Sequence, residues 1–257
     1  MHGEVINKRL ENGIQIYTKS THSVTDEQIE YWVKNWFCEQ EKDKYSAFRS
    51  SEDRRLYAVA HGLTRFVLSR CASIAPQNWR FRFNEYGKPE IANALSDHLY
   101  FNLSHTKGLA VCALSRHQVC GVDVELAAKL DDLEQVAQEV YSPQELDSLF
   151  SLKGSERLHR FYWLWTHKEA FIKACGIGMS LPLKTFSIEG EKNNCRMVFH
   201  PGFPGDHEQR FDASRWGFYW SLLDKRYQLT VSSPSWEICQ QSGVHSLDSL
   251  DFSQSSN

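Results

Sequence analysis

The sequence predicts an α+β fold built as two similar halves, residues 1–117 and 118–240, followed by a mobile tail at 241–257. Three observations predict it. Segments of helical period come first and paired strand-like segments follow, and that order occurs once in each half. A chain of 257 residues that is 41 % apolar, 13 % aromatic and 24 % charged can bury a substantial core, as one large domain or two smaller ones. The last stretch, from Ser242 on, is serine-rich with few large apolar residues. No residue-level repeat accompanies the helix-then-strand order, so the similarity of the halves is architectural.

In chain order, residues 1–22 read as an extended opening, with Ile14 and Ile16 alternating against Gln15 and Tyr17. Residues 25–40 read as one helix: Thr25-Asp26-Glu27-Gln28 is a helix start, and Ile29, Trp32, Val33, Trp36 and Phe37 recur at spacings of three and four. A second helix over 51–73 carries Leu56, Ala60, Leu63, Val67 and Leu68 on one stripe. After Pro76 the pattern becomes short strands. Residues 79–83 alternate, a turn follows at Asn84-Glu85-Tyr86-Gly87-Lys88-Pro89, and apolar runs at 99–105 and 109–114 read as adjacent buried strands. The second half starts with a strand at 119–125 and a helix at 133–140. Ser142-Pro143-Gln144-Glu145 has capping-box spacing and opens the next helix. The aromatic helix around 161–173 ends near Cys175 with Gly176 as its C′ residue. Strands then begin at Phe186 and Met197, and 216–223 and 227–231 form a hairpin about Asp224-Lys225-Arg226.

Composition excludes several function classes. No apolar run approaches the roughly 18–20 residues that cross a bilayer, and residues 1–19 lack the apolar region of a secretory signal. A cytoplasmic monomer without membrane contact is expected. The net charge of −3 leaves no footprint of nucleic-acid binding. Seven scattered cysteines, without a Cys-x-x-Cys pair, fit neither a disulfide framework nor a structural zinc site, and read as reduced core thiols.

The stretch that carries chemistry is 161–173, Phe-Tyr-Trp-Leu-Trp-Thr-His-Lys-Glu-Ala-Phe-Ile-Lys. Trp165, Glu169 and Lys173 fall at successive i,i+4 steps, so an indole, a carboxylate and an ammonium lie in line. Taken alone, Glu169 and Lys173 also fit a solvated helix pair worth about 0.2–0.5 kcal/mol. In Val119-Cys120-Gly121-Val122-Asp123-Val124-Glu125, strand alternation puts Asp123 and Glu125 on one face and Cys120, Val122 and Val124 on the other. That pattern fits a half-buried strand with a wet face. It also fits Mg2+ binding, since two or three oxygen ligands plus a substrate phosphate are how this ion is usually held. Lys88 sits in a turn shaped by Gly87 and Pro89. Ser104, His105 and Thr106 sit at a strand end where hydroxyl, imidazole and backbone N–H groups can hold an anion. Arg49, Arg54 and Arg55 belong to a local basic cluster suited to phosphate.

Gly121-Val122-Asp123-Val124-Glu125 and Trp165-Thr166-His167-Lys168-Glu169-Ala170-Phe171-Ile172-Lys173 resemble the paired signatures of the 4'-phosphopantetheinyl transferases of the surfactin-synthetase-activating type. Glu85-Tyr86-Gly87-Lys88-Pro89, Phe101-Asn102-Leu103-Ser104-His105 and Gly176-Ile177-Gly178-Met179-Ser180-Leu181-Pro182-Leu183 extend the resemblance, which covers roughly residues 42 to 190. It implies a pseudo-dimer of two α+β halves in one chain with the active site between them. It also implies transfer of the phosphopantetheine arm of coenzyme A to a serine of an apo acyl, peptidyl or aryl carrier protein, releasing adenosine 3',5'-bisphosphate. By the resemblance, Asp123, Glu125 and Glu169 hold Mg2+ against the pyrophosphate, Lys173 faces the phosphates, and Glu169 is the position to deprotonate the serine. Ser104 and His105 match the pair near the 3'-phosphate, Tyr86, Gly87 and Lys88 match the loop around the adenine and its ribose phosphate, and Arg49, Arg54 and Arg55 lie where the family supplies charge for the 3'-phosphate. Thr166 and His167 fall in a variable part of the signature and receive no role. Two other readings stand beside this one: a non-catalytic module binding coenzyme A or a carrier protein, and a different Mg2+-dependent phosphotransferase. Against the second, the chain has no Gly-x-x-x-x-Gly-Lys-Ser/Thr loop.

Overall fold

The computed structural model describes residues 13–95, 98–204, 212–250 and 252. The fold is α+β, and its backbone contacts divide it into two units: residues 1–82, 89–117 and 241–257 form the first, and 83–88 and 118–240 the second. The expected extended opening before Gly13 lies outside the described residues.

In the first unit, β1 (Gln15–Ser20), β4 (Tyr100–Thr106) and β5 (Leu109–Ser115) belong to a four-stranded sheet, and β2 (Phe81–Phe83) and β3 (Pro89–Ile91) form a short ribbon. Its helices are α1 (Asp26–Asn35), α2 (Glu39–Ala47) and α3 (Ser51–Cys71). Thr25 starts α1 as a capping box: its Oγ1 accepts from the Gln28 N–H, and Gln28 Oε1 accepts from the Thr25 N–H. The single helix expected over 25–40 is instead two, because Glu41 reaches back to the Cys38 N–H at 2.9 Å and so caps a new helix there. Glu41 is held for that task from α3, by Arg65 at 2.5 Å and His61 at 2.8 Å. Burial works against its ionisation, but the hydrogen bonds and charges of His61 and Arg65 prevail and bring Glu41 down to about 2. Trp32, Leu63, Phe66, Val67, Phe101 and Leu114 fill the core between the helices and the sheet. The strand expected over 79–83 is shorter, since Trp79 is tied to α3 by its Nε1 donating to Ser69 Oγ and its carbonyl accepting from Arg65.

The expected mobile tail is ordered over its described part, while residues 251 and 253–257 lie outside the described residues. Gly243–Ser246 forms β11, parallel to β1, with Gln15 opposite Gly243 and Thr18 opposite Ser246. The sheet order is therefore β11-β1-β5-β4. Two side chains explain why a polar segment is held. The buried Lys19 donates to the carbonyls of Leu247, Asp248 and Leu250 at 2.8, 3.2 and 3.1 Å, and Phe252 stacks on Phe66 with ring centroids 3.8 Å apart. Three carbonyl partners are what a buried ammonium requires.

In the second unit, β6 (Gly121–Leu126), β9 (Gly217–Leu223) and β10 (Tyr227–Ser233) form a sheet of order β6-β10-β9, and β7 (Phe186–Glu191) pairs with β8 (Asn194–Phe199). The helices are α4 (Leu133–Val140), α5 (Pro143–Phe150), α6 (Gly154–Cys175) and the short α7 (Trp236–Gln240). The aromatic helix is α6, and it lies across β6 and β10. It ends where Gly176 takes a left-handed φ of 71°. Its approach to β6 is set by Gly121, where an added Cβ would stand 2.1 Å from the Ala170 carbonyl oxygen and 2.3 Å from the Ala174 nitrogen. Those atoms are helix backbone and cannot turn aside. Gly121→Ala is expected to push β6 and α6 apart and lower the melting temperature by roughly 5–10 °C, as read by calorimetry. An unchanged midpoint would mean the two elements separate without cost.

Candidate active site

Strand β6 and helix α6 supply the site. Both faces of β6 are covered: Val122 and Val124 are fully buried, and Asp123 is 3 % exposed. A carboxylate so buried needs a partner. It has one in Lys173, whose Nζ donates to Asp123 Oδ1 at 2.6 Å. Trp165, Glu169 and Lys173 form a half-buried stripe on α6, flanked by the fully sheltered Thr166 and Ala170.

Glu169 belongs to the same cluster. Burial raises its pKa and the Asp123 charge raises it further, while Lys173 pulls it down. The folded value lies above the unfolded one, so the cost of ionising Glu169 is absent below the unfolded pKa and complete once the pH passes the folded pKa. Glu169→Gln is therefore expected to raise the melting temperature at about pH 7.5 and leave it unchanged at about pH 4. Equal shifts at both pH values in scanning calorimetry would contradict this. Glu125, one strand step beyond Asp123, is partly exposed, and its charge raises the pKa of Tyr162 after burial has done so.

The turn at 84–88 is fastened to the C-terminal end of α6. Asn84 Oδ1 accepts from the N–H groups of Tyr86 and Lys88, and Asn84 Nδ2 donates to the Gly176 carbonyl at 2.7 Å. Lys88 Nζ donates to the Ala174 carbonyl at 3.0 Å, a favourable place for a cation at a helix C-terminus. Tyr86 is 46 % exposed beside it. In the first unit, Ser104 is buried and His105 exposed on β4. Arg49 is exposed. Arg54 lies over the Tyr45 ring, and Arg55 is engaged by the Thr21 and Val24 carbonyls and by Asp26. Arg55 thus anchors the start of α1 in this structure.

Oxygen donors on β6 and α6 fit a hard divalent cation. The observation that tests the fit is the mutual field of Asp123 and Glu169, which a cation relieves. Among the described residues no three His, Cys, Asp or Glu groups come together so as to hold a metal ion, so Asp123, Glu125 and Glu169 are not gathered into a three-carboxylate site in this structure. Mg2+ is ordinarily held by one or two carboxylates, with waters and substrate phosphates completing the shell, so an open set is the form to expect.

Residues 119–232 match the model of the 4'-phosphopantetheinyl transferase superfamily, and residues 25–117 match that of 4'-phosphopantetheinyl transferase, N-terminal. The chain is 34 % identical over 204 residues to a 4'-phosphopantetheinyl transferase of Bacillus subtilis, covering 78 % of this chain and 83 % of that one. The chain belongs to the 4'-phosphopantetheinyl transferase family. It is also 33 % identical to the 4'-phosphopantetheinyl transferase HetI of Nostoc sp., over 52 % of this chain and 56 % of that one. To the 4'-phosphopantetheinyl transferase Sfp of Bacillus subtilis it is 33 % identical, over 58 % of this chain and 64 % of that one. The matches to HetI and Sfp thus span less than two thirds of those relatives.

Within this family member, two features of the site escape the motif reading. Lys168, next to Glu169, is 1 % exposed and forms a buried ion pair with Glu145 at 2.8 Å while donating to the Leu183 and Phe186 carbonyls. Glu145 in turn accepts from the Ser142 and Ile188 N–H groups, so one carboxylate joins α5, α6 and β7. The signal was present: Leu164, Lys168 and Phe171 follow helical spacing, which puts a lysine on an apolar stripe. His167 is fully buried, and burial drives its pKa down to about 3, so the ring is neutral at ordinary pH. Burial also pushes the thiols of Cys71, Cys120 and Cys195 up to about 12, and all the cysteines are free. Among the described residues no helix is long and apolar enough to cross a membrane.

Proposed function

We propose that this protein transfers the 4'-phosphopantetheine arm of coenzyme A to a serine of an apo acyl, peptidyl or aryl carrier protein. The serine oxygen forms a bond to the phosphorus carrying the pantetheine arm, and that phosphorus loses its bond to the oxygen of the departing adenosine 3',5'-bisphosphate. The hydroxyl proton passes to a base. The observation that carries the reading is the Asp123–Lys173 pair with Glu169 in its field, on the positions of the family's two signatures.

In this reading Lys173 sets an ammonium against the pyrophosphate, where negative charge grows as the bond to the leaving group stretches. Glu169, with its pKa raised by burial and by Asp123, is suited to take the serine proton. Asp123 and Glu125 complete the oxygen donors for Mg2+, which when bound neutralises and aligns the pyrophosphate. Tyr86, Gly87 and Lys88 would meet the adenine end of coenzyme A. Ser104 and His105, with help from Arg49, Arg54 or Arg55, would meet its 3'-phosphate. The same reading makes the protein a cytoplasmic monomer that needs neither nucleic acid nor membrane.

The test is intact-mass spectrometry of an apo carrier protein incubated with the protein, coenzyme A and Mg2+, with a chelated control. The expected result is a gain of one phosphopantetheine that disappears with chelator. No gain on carriers of all three kinds, with coenzyme A still bound, would replace the transferase by a non-catalytic binding module.

A further inference from the structure

We infer that Thr166 and Thr230 form a latch that fixes the register of α6 on the sheet and so sets Glu169 and Lys173 opposite Asp123. The inference rests on the transferase reading and adds positioning residues to it.

Both threonines are fully buried, and their Oγ1 atoms are 2.8 Å apart. Thr166 Oγ1 lies 3.2 Å from the Trp163 carbonyl oxygen. His167 Nδ1 is 2.6 Å from the same carbonyl and 3.2 Å from Thr230 Oγ1. A carbonyl only accepts, so Nδ1 carries the hydrogen and shares it with Thr230 Oγ1. Thr230 then donates to Thr166, and Thr166 donates to the Trp163 carbonyl. Every hydrogen in this group has a direction.

Position gives the group its consequence. Thr230 stands directly across the β6–β10 ladder from Asp123, so the two side chains share a face. On the helix, Thr166, Ala170 and Ala174 follow one another at i,i+4 steps. Ala170 and Ala174 are the residues against which Gly121 closes. The helix is therefore held at two places, with Asp123 level with Thr230 on the sheet and Lys173 within the Ala170–Ala174 stretch on the helix. Apolar contact at Gly121 limits how near the helix comes but is not directional. A slip of one residue would move the helix about 1.5 Å and turn it by about 100°, carrying Lys173 away from Asp123. The directed bonds at Thr230 oppose that slip. Replacing both hydroxyls by apolar groups of the same shape would be nearly neutral for stability, whereas removing one leaves its buried partner unsatisfied at about 1–3 kcal/mol, so melting is read beside the geometry.

Thr230→Val and Thr166→Val each remove the bond from one side, and Thr230→Ser keeps it. In the full chain, binding of Mn2+ alone, counted as free ion by electron paramagnetic resonance, reads the carboxylate geometry without turnover. Both valine variants are expected to bind Mn2+ about 10-fold more weakly, as when partners that orient metal ligands are lost. Their kcat should fall about 10- to 100-fold with the KM for coenzyme A within about 2-fold, and Thr230→Ser should recover both. Wild-type Mn2+ affinity and kcat in a folded valine variant overturn the latch, as does a serine variant that fails to recover. If Thr230→Val does not fold, Thr166→Val decides. A wild type that transfers nothing removes the transferase reading, and the Mn2+ affinities then decide the latch alone. A wild type that neither transfers nor binds Mn2+ overturns both.

Discussion

Asp123→Asn and Glu169→Gln are each expected to cut the transfer rate by at least about 10²–10³-fold while the protein still melts cooperatively. The size follows from what is lost. In the proposed transfer both carboxylates would hold the Mg2+ that neutralises a polyanionic leaving group, and Asp123 is buried with Lys173 as its partner. Asp123→Asn also replaces the 2.6 Å ion pair with Lys173 by a hydrogen bond to an uncharged amide. Lys173→Ala should lower kcat more than it weakens carrier binding, because in the proposed transfer the charge it would meet develops on the leaving phosphate. Single-turnover transfer to an apo carrier, followed by mass spectrometry, measures all three. Normal turnover in a folded Asp123→Asn or Glu169→Gln variant would sink the assignment of this cluster. Weaker carrier binding with unchanged kcat in Lys173→Ala would move that residue to the protein interface.

The largest loss of stability is expected at Lys168 and Glu145. Removing one partner of a buried ion pair leaves the other charge without compensation, at a cost of about 3–5 kcal/mol. Lys168→Ala should therefore lower the melting temperature by roughly 10 °C. Glu145→Ala should do at least as much, since it also strips acceptors from the Ser142 and Ile188 N–H groups and leaves three elements without their common tie. The double variant Glu145→Gln with Lys168→Met keeps one amide oxygen, enough for either the Ser142 or the Ile188 N–H, and puts an apolar chain in place of the ammonium stem. It should recover part of the loss, because the unpaired charge is gone while one of the two N–H groups still lacks its acceptor. Thermal denaturation of the three variants decides this: a double variant as unstable as the singles would show that the charges themselves hold the elements together.

What was legible in the sequence is what nearest neighbours decide. The capping box at Thr25 and the one at Ser142 were visible because cap and partner lie three residues apart. The period of α6 and the alternation of β6 named Glu169, Lys173, Asp123 and Glu125 separately. That Asp123 and Lys173 touch, and that Glu169 lies in the field of both, depends on how closely Gly121 lets a helix approach a strand. No single segment states that distance. The break after α1 was hidden for the same reason, being made by Arg65 and His61 from another helix acting on Glu41. Lys168 could have been questioned for its apolar stripe, but its partner Glu145 reads locally as a cap. The strand at 243–246 carries the weakest local pattern of all. Its partner is more than two hundred residues away, and the contacts that hold it there, from the β1 ladder to Lys19, Asp248 on the Ser20 N–H, Tyr17 on His245 and Phe252 on Phe66, all come from distant residues.

That strand also fixes an order of events during synthesis. The first unit is made of residues from both ends of the described chain, and nearly all of the second unit is inserted between them. While the chain emerges from the ribosome, residues 118–240 can close on themselves, but β1 lacks its parallel neighbour and Lys19 lacks its three carbonyls until residues 241–252 have followed. The edge of β1 is exposed to other chains throughout that interval. Strand β11 thus acts as a closing clasp on the sheet that contains β1, and slowing translation over residues 243–250 lengthens the time in which that sheet can pair wrongly.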